Sequence, residues 1–280
     1  MRSELSEKVA RLGYGARGVV YLVLGGLASA AAFGAGGEVT STQGVFQEIL
    51  SQPFGSVLLA IVALGLLCFA LWRVAQSLLD ADHMGTDGRA LITRAGLGAS
   101  AVVNAALAVS AAGLLLGLAS GGSGDSSAQD WTASLLSAPL GRWLVAGVGL
   151  AIAGTGLALG WKGWQGDVAK RLSLTSEQRR WAVPLGRAGY LARGLVFVVI
   201  GSFLLLAALQ ADPAEAKGIT GALRTLEQQP YGWALFGLTA LGLFAFGAFQ
   251  LAVAVFRRIE APDVDRALSK LRQDGRRLVS

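Results

Sequence analysis

Residues 11–18 read "RLGYGARG", and residues 187–194 read "RAGYLARG". A charged, glycine-rich phrase is written twice, each time directly ahead of a long apolar run. Aligning Arg11 and Arg187 with Arg94 brings out a third copy. Gly follows each Arg two places on (Gly13, Gly96, Gly189) and Ala five places on (Ala16, Ala99, Ala192). The third position holds Tyr14, Leu97 and Tyr190, and the sixth holds Arg17, Ser100 and Arg193. Self-similarity at a fixed period is the signature of a repeat architecture.

The later half of each unit repeats as well. "QPFG" at 52–55, "APLG" at 138–141 and "QPYG" at 229–232 each open a hydrophobic run, with the Pro 42, 45 and 43 residues after the leading Arg. Pro suits the first turn of a helix, where its missing N–H has no partner to lose. Ten residues before the Pro stand Gln43, Gln129 and Thr220. Val45, Trp131 and Ala222 come eight before it, and Ile49, Leu135 and Leu226 four before it. That i, i+4 stripe predicts a short amphipathic surface helix. Thr40…Gln43 and Ser126…Gln129 have capping-box spacing at its start, and the third unit lacks one.

A bilayer core takes about 20 mostly apolar residues in a helix. Six runs qualify, at 17–36, 55–76, 97–118, 141–162, 192–211 and 233–256, with no Asp or Glu in their central portions. Over half of the 280 residues are hydrophobic and only 15% are charged, well below a soluble domain's share. The first run has the small-residue pattern of a signal peptide. Its recurrence inside the chain at 187–211 favours a retained helix.

The net charge of +6 is a matter of topology rather than of nucleic-acid binding. Of 24 Lys and Arg, 21 fall on one side when the connections are taken alternately; the other side has only Arg142, Lys217 and Arg224. Both termini are therefore expected in the cytoplasm, facing an anionic inner leaflet. Two spans per unit make every unit enter the membrane in the same direction. Three such parallel repeats predict an all-α, pseudo-threefold bundle of six transmembrane helices, with the short helices on the outer side. The expected divisions are an N-terminal segment 1–10, repeat 1 at 11–80, repeat 2 with its connection at 81–172, repeat 3 with its connection at 173–258, and a basic tail 259–280, in which Val264, Leu268 and Leu271 are spaced helically.

These units resemble the domain of unknown function 1206, a bacterial membrane family with three tandem two-helix modules. The resemblance is carried by "RLGYGARGVVYLVLG", "QPFGSVLLAIVALGLLCFALWRV", "APLGRWLVAGVGL", "KGWQGDVAKRL", "RAGYLARGLVFVVIG" and "GALRTLEQQPYG", and it spans residues 10–258. It implies an architecture and a plasma-membrane location, and it brings no activity or catalytic residues.

Chemistry is sparse. Arg11, Tyr14, Arg17, Arg187, Tyr190 and Arg193 stand where a lipid headgroup or other anion would be met, with Tyr at headgroup level and Arg snorkelling. Asn104, aligned with Tyr21 and Phe197, is expected to hydrogen-bond a neighbouring helix. Arg73 and Gln250 occupy one aligned position and are a candidate polar contact. Cys68 reads as an apolar packing residue, and with one Cys and one His no disulfide or paired-ligand zinc motif is available. His83 with Asp80, Asp82 and Asp87 lacks EF-hand spacing and reads as a polar loop. No nucleophile elbow or phosphate loop is present. No catalytic, cofactor or metal residue is assigned. Gly113…Gly117 and Gly156…Gly160 have GxxxG spacing, and Gly232, Gly237, Gly242 and Gly247 recur every five residues, for close packing or a homo-oligomer face. The expected function is a non-catalytic membrane component contacting lipid or protein partners. The alternative is a transporter or channel along the pseudo-threefold axis. Mitochondrial carriers share the three-times-two plan, but their P-x-[DE]-x-x-[KR] signature is absent.

Overall fold

The structure is a computed structural model describing residues 2–34, 40–82, 84–85, 87–118, 124–170 and 172–257. Six long helices carry the apolar runs: α1 (Arg2–Ala32), α3 (Gly55–Leu78), α4 (Gly88–Leu115), α6 (Gly141–Gln165), α7 (Ser176–Gln210) and α9 (Gly232–Phe256). Each is long and apolar enough to cross a membrane. Between the two long helices of each unit lies a shorter one: α2 (Thr42–Ser51), α5 (Gly124–Leu136) and α8 (Ile219–Glu227). These three lie together over the end of the bundle opposite the termini, hereafter the distal end.

The second helix of every unit packs on the first helix of the next: α3 on α4, α6 on α7, and α9 back onto α1. That cyclic closure is the pseudo-threefold order. Glycines make the contacts. A Cβ on Gly156 of α6 would lie 2.7 Å from the Gly194 carbonyl oxygen and the Val198 nitrogen of α7. A Cβ on Gly247 of α9 would meet the equivalent pair on α1, the Gly18 carbonyl oxygen and the Leu22 nitrogen. Without side chains at these points the backbones come close enough for dispersion to act between them. The five-residue glycine spacing in α9 also finds its use. Five residues rotate about 140° beyond a full turn, so Gly237 faces α1, Gly242 faces Ala192 of α7, and Gly247 faces α1 again. Of the GxxxG pairs, Gly156 and Gly160 sit against α7, while Gly117 ends α4 with φ +67°.

Within a unit the symmetry breaks. In unit 1, Gly13 of α1 abuts Phe69 of α3, and Gly65 of α3 receives Ala16. In unit 3, Gly189 abuts Phe246 and Gly242 receives Ala192 at the same register. The middle unit keeps Gly96 and Ala99 on α4, but α6 has Thr155 for the Phe and Ala151 for the Gly. Knob and socket are both lost, and no Cα of α4 lies within 8 Å of a Cα of α6. Valines nine residues after each leading Arg report the consequence: Val20 and Val196 are 4% and 1% exposed, whereas Val103 is 58% exposed. The six helices form a ring with one open side.

The corner of each unit is a tight turn. The Gly55, Gly141 and Gly232 N–H groups donate to the carbonyls of Gln52, Ala138 and Gln229 at 2.8, 2.9 and 2.7 Å. Pro takes the second turn position, so it precedes the helix rather than occupying its first turn. The third position, Phe54, Leu140 or Tyr231, has φ 61° in all three. The capping oxygen of α2 is that of Ser41, one residue later than the sequence spacing indicates. Ser126 lies inside α5. The third unit, which has no cap of its own, borrows one: Asp125 of α5 accepts from the Gly218 and Gly221 N–H groups at the start of α8, at 2.7 and 3.1 Å.

A contiguous apolar core, including Leu24, Phe46, Leu59, Leu223, Phe236 and Leu243, closes the distal half of the interior. The tail 259–280 and His83 lie outside the described residues.

Candidate functional site

The repeated phrase has a structural task at the end carrying the termini. Each leading Arg reaches the last turn of the helix packed against it. Arg94 donates to the Ser77 and Leu78 carbonyls at the end of α3, at 2.8 and 3.1 Å. Arg187 donates to the Gly163 and Trp164 carbonyls of α6, at 3.3 and 3.2 Å. Arg11 donates to the Ala254 carbonyl of α9 at 2.6 Å and to that of Val255. In all three units the accepting residues stand at the same two places after the corner Pro. A helix C-terminus has carbonyls with no intrahelical partner and a partial negative charge, and a guanidinium satisfies both. Arg11 and Arg187 therefore spend these donors on backbone. Arg187→Gln is expected to lower stability by about 1–2 kcal/mol through loss of this charge-assisted cap, with partial recovery in Arg187→Lys, read by thermal unfolding in detergent.

One turn further in, the remaining arginines converge on the interior. Arg17 of α1 is 6% exposed. Its guanidinium carbon lies 4.9 Å from the Phe69 ring centroid and 5.6 Å from that of Tyr21. Arg73 of α3 shares the Phe69 ring at 4.7 Å. Arg193 of α7 lies 4.7 Å from Phe197, 5.1 Å from Phe246 and 5.8 Å from the same Tyr21. Tyr21 and Phe246 meet edge to face at 4.9 Å and form the wall between α1 and α9. Cation–π stacking stabilises a guanidinium from its faces, leaving the N–H groups at its edge for an acceptor. Nε of Arg73 and Nε of Arg193 are buried and have no hydrogen-bond partner. Arg73 does donate to Gln76, at 3.1 Å, rather than to Gln250 of α9, which is 4% exposed.

Carboxylate is scarce around them. Asp82, just past α3, accepts from Arg257 Nη2 at 3.1 and 3.0 Å and from Gln76 at 2.7 Å. Arg257 also donates to the Tyr14 hydroxyl. Burial disfavours the charged form of Arg257, but Tyr14 and Asp82 beside it more than offset this and hold its pKa above the ordinary guanidinium value. This link between the ends of α3 and α9 joins residues 175 apart in sequence, and no local pattern announces it. Tyr190 stacks with Phe246 and Phe249 and lies 4.7 Å under the Lys162 ammonium. Asn104 turns back on its own helix, donating to the Ser100 carbonyl at 2.7 Å. Asp80 accepts from the Met84 and Gly85 N–H groups and so shapes its own loop.

The cluster has a defined depth. Arg17, Arg73 and Arg193 stand 15, 18 and 17 residues from the distal ends of their helices, or about 23–27 Å at 1.5 Å per residue. If the distal helix ends sit at one edge of a hydrocarbon core of about 30 Å, the backbone at these three residues lies within several ångströms of its other edge, and their long side chains can reach the headgroup level there.

Three segments, 12–80, 95–166 and 188–257, match the family described as Domain of Unknown Function (DUF1206). The chain is also 33% identical over 257 residues to "Uncharacterized protein YxxB" of Bacillus subtilis (strain 168), covering 90% of this chain and 92% of that protein. No solved structure matches it.

Proposed function

The chain belongs to the Domain of Unknown Function (DUF1206) family, and from that premise we propose that it is a non-catalytic component of the plasma membrane that engages anionic lipid of the inner leaflet. The observation that carries this reading is the trio Arg17, Arg73 and Arg193, held on aromatic rings at headgroup depth with no carboxylate bonded to any of them among the described residues. Guanidinium groups form paired, charge-assisted hydrogen bonds with phosphate oxygens. The basic bias of the terminal side supports cytoplasmic termini. Transport along the axis has no comparable support, because a contiguous apolar cluster occupies the distal half of the bundle.

Two measurements test this. Tags at residues 1 and 280 are expected to react with membrane-impermeant reagents only after the cells are opened. Chain purified in mild detergent is expected to retain phosphatidylglycerol in preference to phosphatidylcholine. A tag that reacts on intact cells, or retention that ignores headgroup charge, overturns the reading.

A further inference from the structure

Among the described residues, the α4–α6 edge is the one edge of the ring without helix contact. In chain order around the ring, the α4–α6 edge lies opposite the α1–α9 wall that carries Tyr21 and Phe246. Arg17 and Arg73 flank the wall on one side and Arg193 on the other. Tyr21, Arg193 and Phe197 are only half-buried although they point into the bundle, as expected if the missing side leaves them reachable. Ser100, standing where the other units have Arg, adds no bulk or charge to the fourth side. The cleft walls are the faces that pair in units 1 and 3: Gly96, Ala99 and Val103 on α4, Ala151 and Thr155 on α6, all exposed.

We propose that this cleft admits one anionic phospholipid from the surrounding leaflet, its phosphate held by Arg17, Arg73 and Arg193 and its acyl chains lying between α4 and α6. The inference rests on the lipid-contact reading above and narrows it to a site. Charge selects the occupant: three guanidiniums call for an anion with several oxygens, and their two unpaired Nε–H groups supply directed donors. The walls select the rest of the molecule, because smooth apolar surfaces at bilayer depth suit hydrocarbon chains and offer nothing to a water-soluble ion. An apolar tail and a phosphate on one molecule fit both halves of the cleft at once.

The test uses the full-length chain in detergent and native mass spectrometry with three probes: dioleoyl phosphatidylglycerol, dioleoyl phosphatidylcholine and inorganic phosphate. One phosphatidylglycerol is expected to remain bound. Arg193→Gln is expected to weaken it about tenfold, as loss of one charge-assisted contact does. The pair Ala151→Gly with Thr155→Phe rebuilds the socket and knob of units 1 and 3 at two exposed positions, so the fold tolerates it. It is expected to reduce retention comparably by filling the cleft. Retention of phosphatidylglycerol unchanged in both variants overturns the buried site while leaving lipid contact at the surface intact. Binding of inorganic phosphate that Arg193→Gln weakens and the cleft-filling pair does not would identify a soluble anion instead of a lipid. Equal retention of both phospholipids overturns the site together with the reading beneath it.

Discussion

Gly156→Leu is expected to detach α6 from the bundle and to lower the unfolding midpoint in detergent by more than about 6 °C, several kcal/mol on the usual scaling. The size of the effect follows from how α6 is held. Its buried residues are Gly141, Val145, Gly149, Gly156 and Gly163, a single stripe. Apart from Gly141 at the corner, the glycines of that stripe meet α7. The Cβ position at Gly156 is blocked by backbone atoms of Gly194 and Val198 at 2.7 Å, and no rotamer change moves backbone. The helices would have to separate, and the contacts of Gly149 and Gly163 on the same stripe would separate with them. In unit 1 or unit 3 the lost helix could lean on its hairpin partner, but no Cα of α4 comes within 8 Å of a Cα of α6. Gly154→Leu is the control. It lies two residues away on the same helix with nothing within 4 Å of its Cβ position, and it should leave the midpoint unchanged. A Gly156→Leu midpoint matching that of Gly154→Leu would refute the account of how the ring is joined.

What the sequence made legible is what repeats. Three hairpins, three Pro-Gly corners and six apolar runs of membrane length are local patterns, each set by the chemistry of a few neighbouring residues. The short helices followed from the i, i+4 stripe, although Trp131 on that stripe is 73% exposed where Val45 and Ala222 are fully buried. Purposes were less legible than positions. Arg11 and Arg187 carry charges at a membrane interface and so suggest lipid, yet they cap helix ends supplied by residues 243 and 24 positions away. Their recurrence was visible, whereas the carbonyls they reach become visible only once the helices are side by side. The open side of the ring was written in the sequence as Thr155 and Ala151. Two small substitutions acquire meaning only when the equivalent Phe69 and Phe246 are seen to be knobs. Asn104 shows the converse: a polar residue inside an apolar run suggests a cross-helix bond, but the carbonyl four residues back is nearer and satisfies it first.

Asp82→Asn is expected to be the most damaging change at the end carrying the termini, costing about 3–5 kcal/mol, the usual range for removing one partner from a buried ion pair. The side chains of Asp82 and Arg257 are 13% and 12% exposed, so water cannot replace what is lost. Arg257 accounts for only part of the effect. Asp82 also receives the Gln76 amide, which in turn orients Arg73. Its carboxylate is bonded to Arg257 at the end of the bundle where Arg17, Arg73 and Arg193 also stand, and those three have no carboxylate partner among the described residues. Neutralising it leaves four like charges repelling one another at short range in a medium of low dielectric. Two effects should separate in experiment. Stability, read by thermal unfolding, should fall in Asp82→Asn and recover substantially when Arg257→Gln is added, because the second change removes the stranded charge and leaves two amides able to bond each other. Retention of an anionic phospholipid should rise or hold in Asp82→Asn, since a competing carboxylate has gone. If the single variant melts with the unchanged protein, the link between α3 and α9 carries no weight. If the double variant is weaker than the single, the pair is valued for hydrogen bonding beyond its charge, and the electrostatic account of this end of the bundle fails.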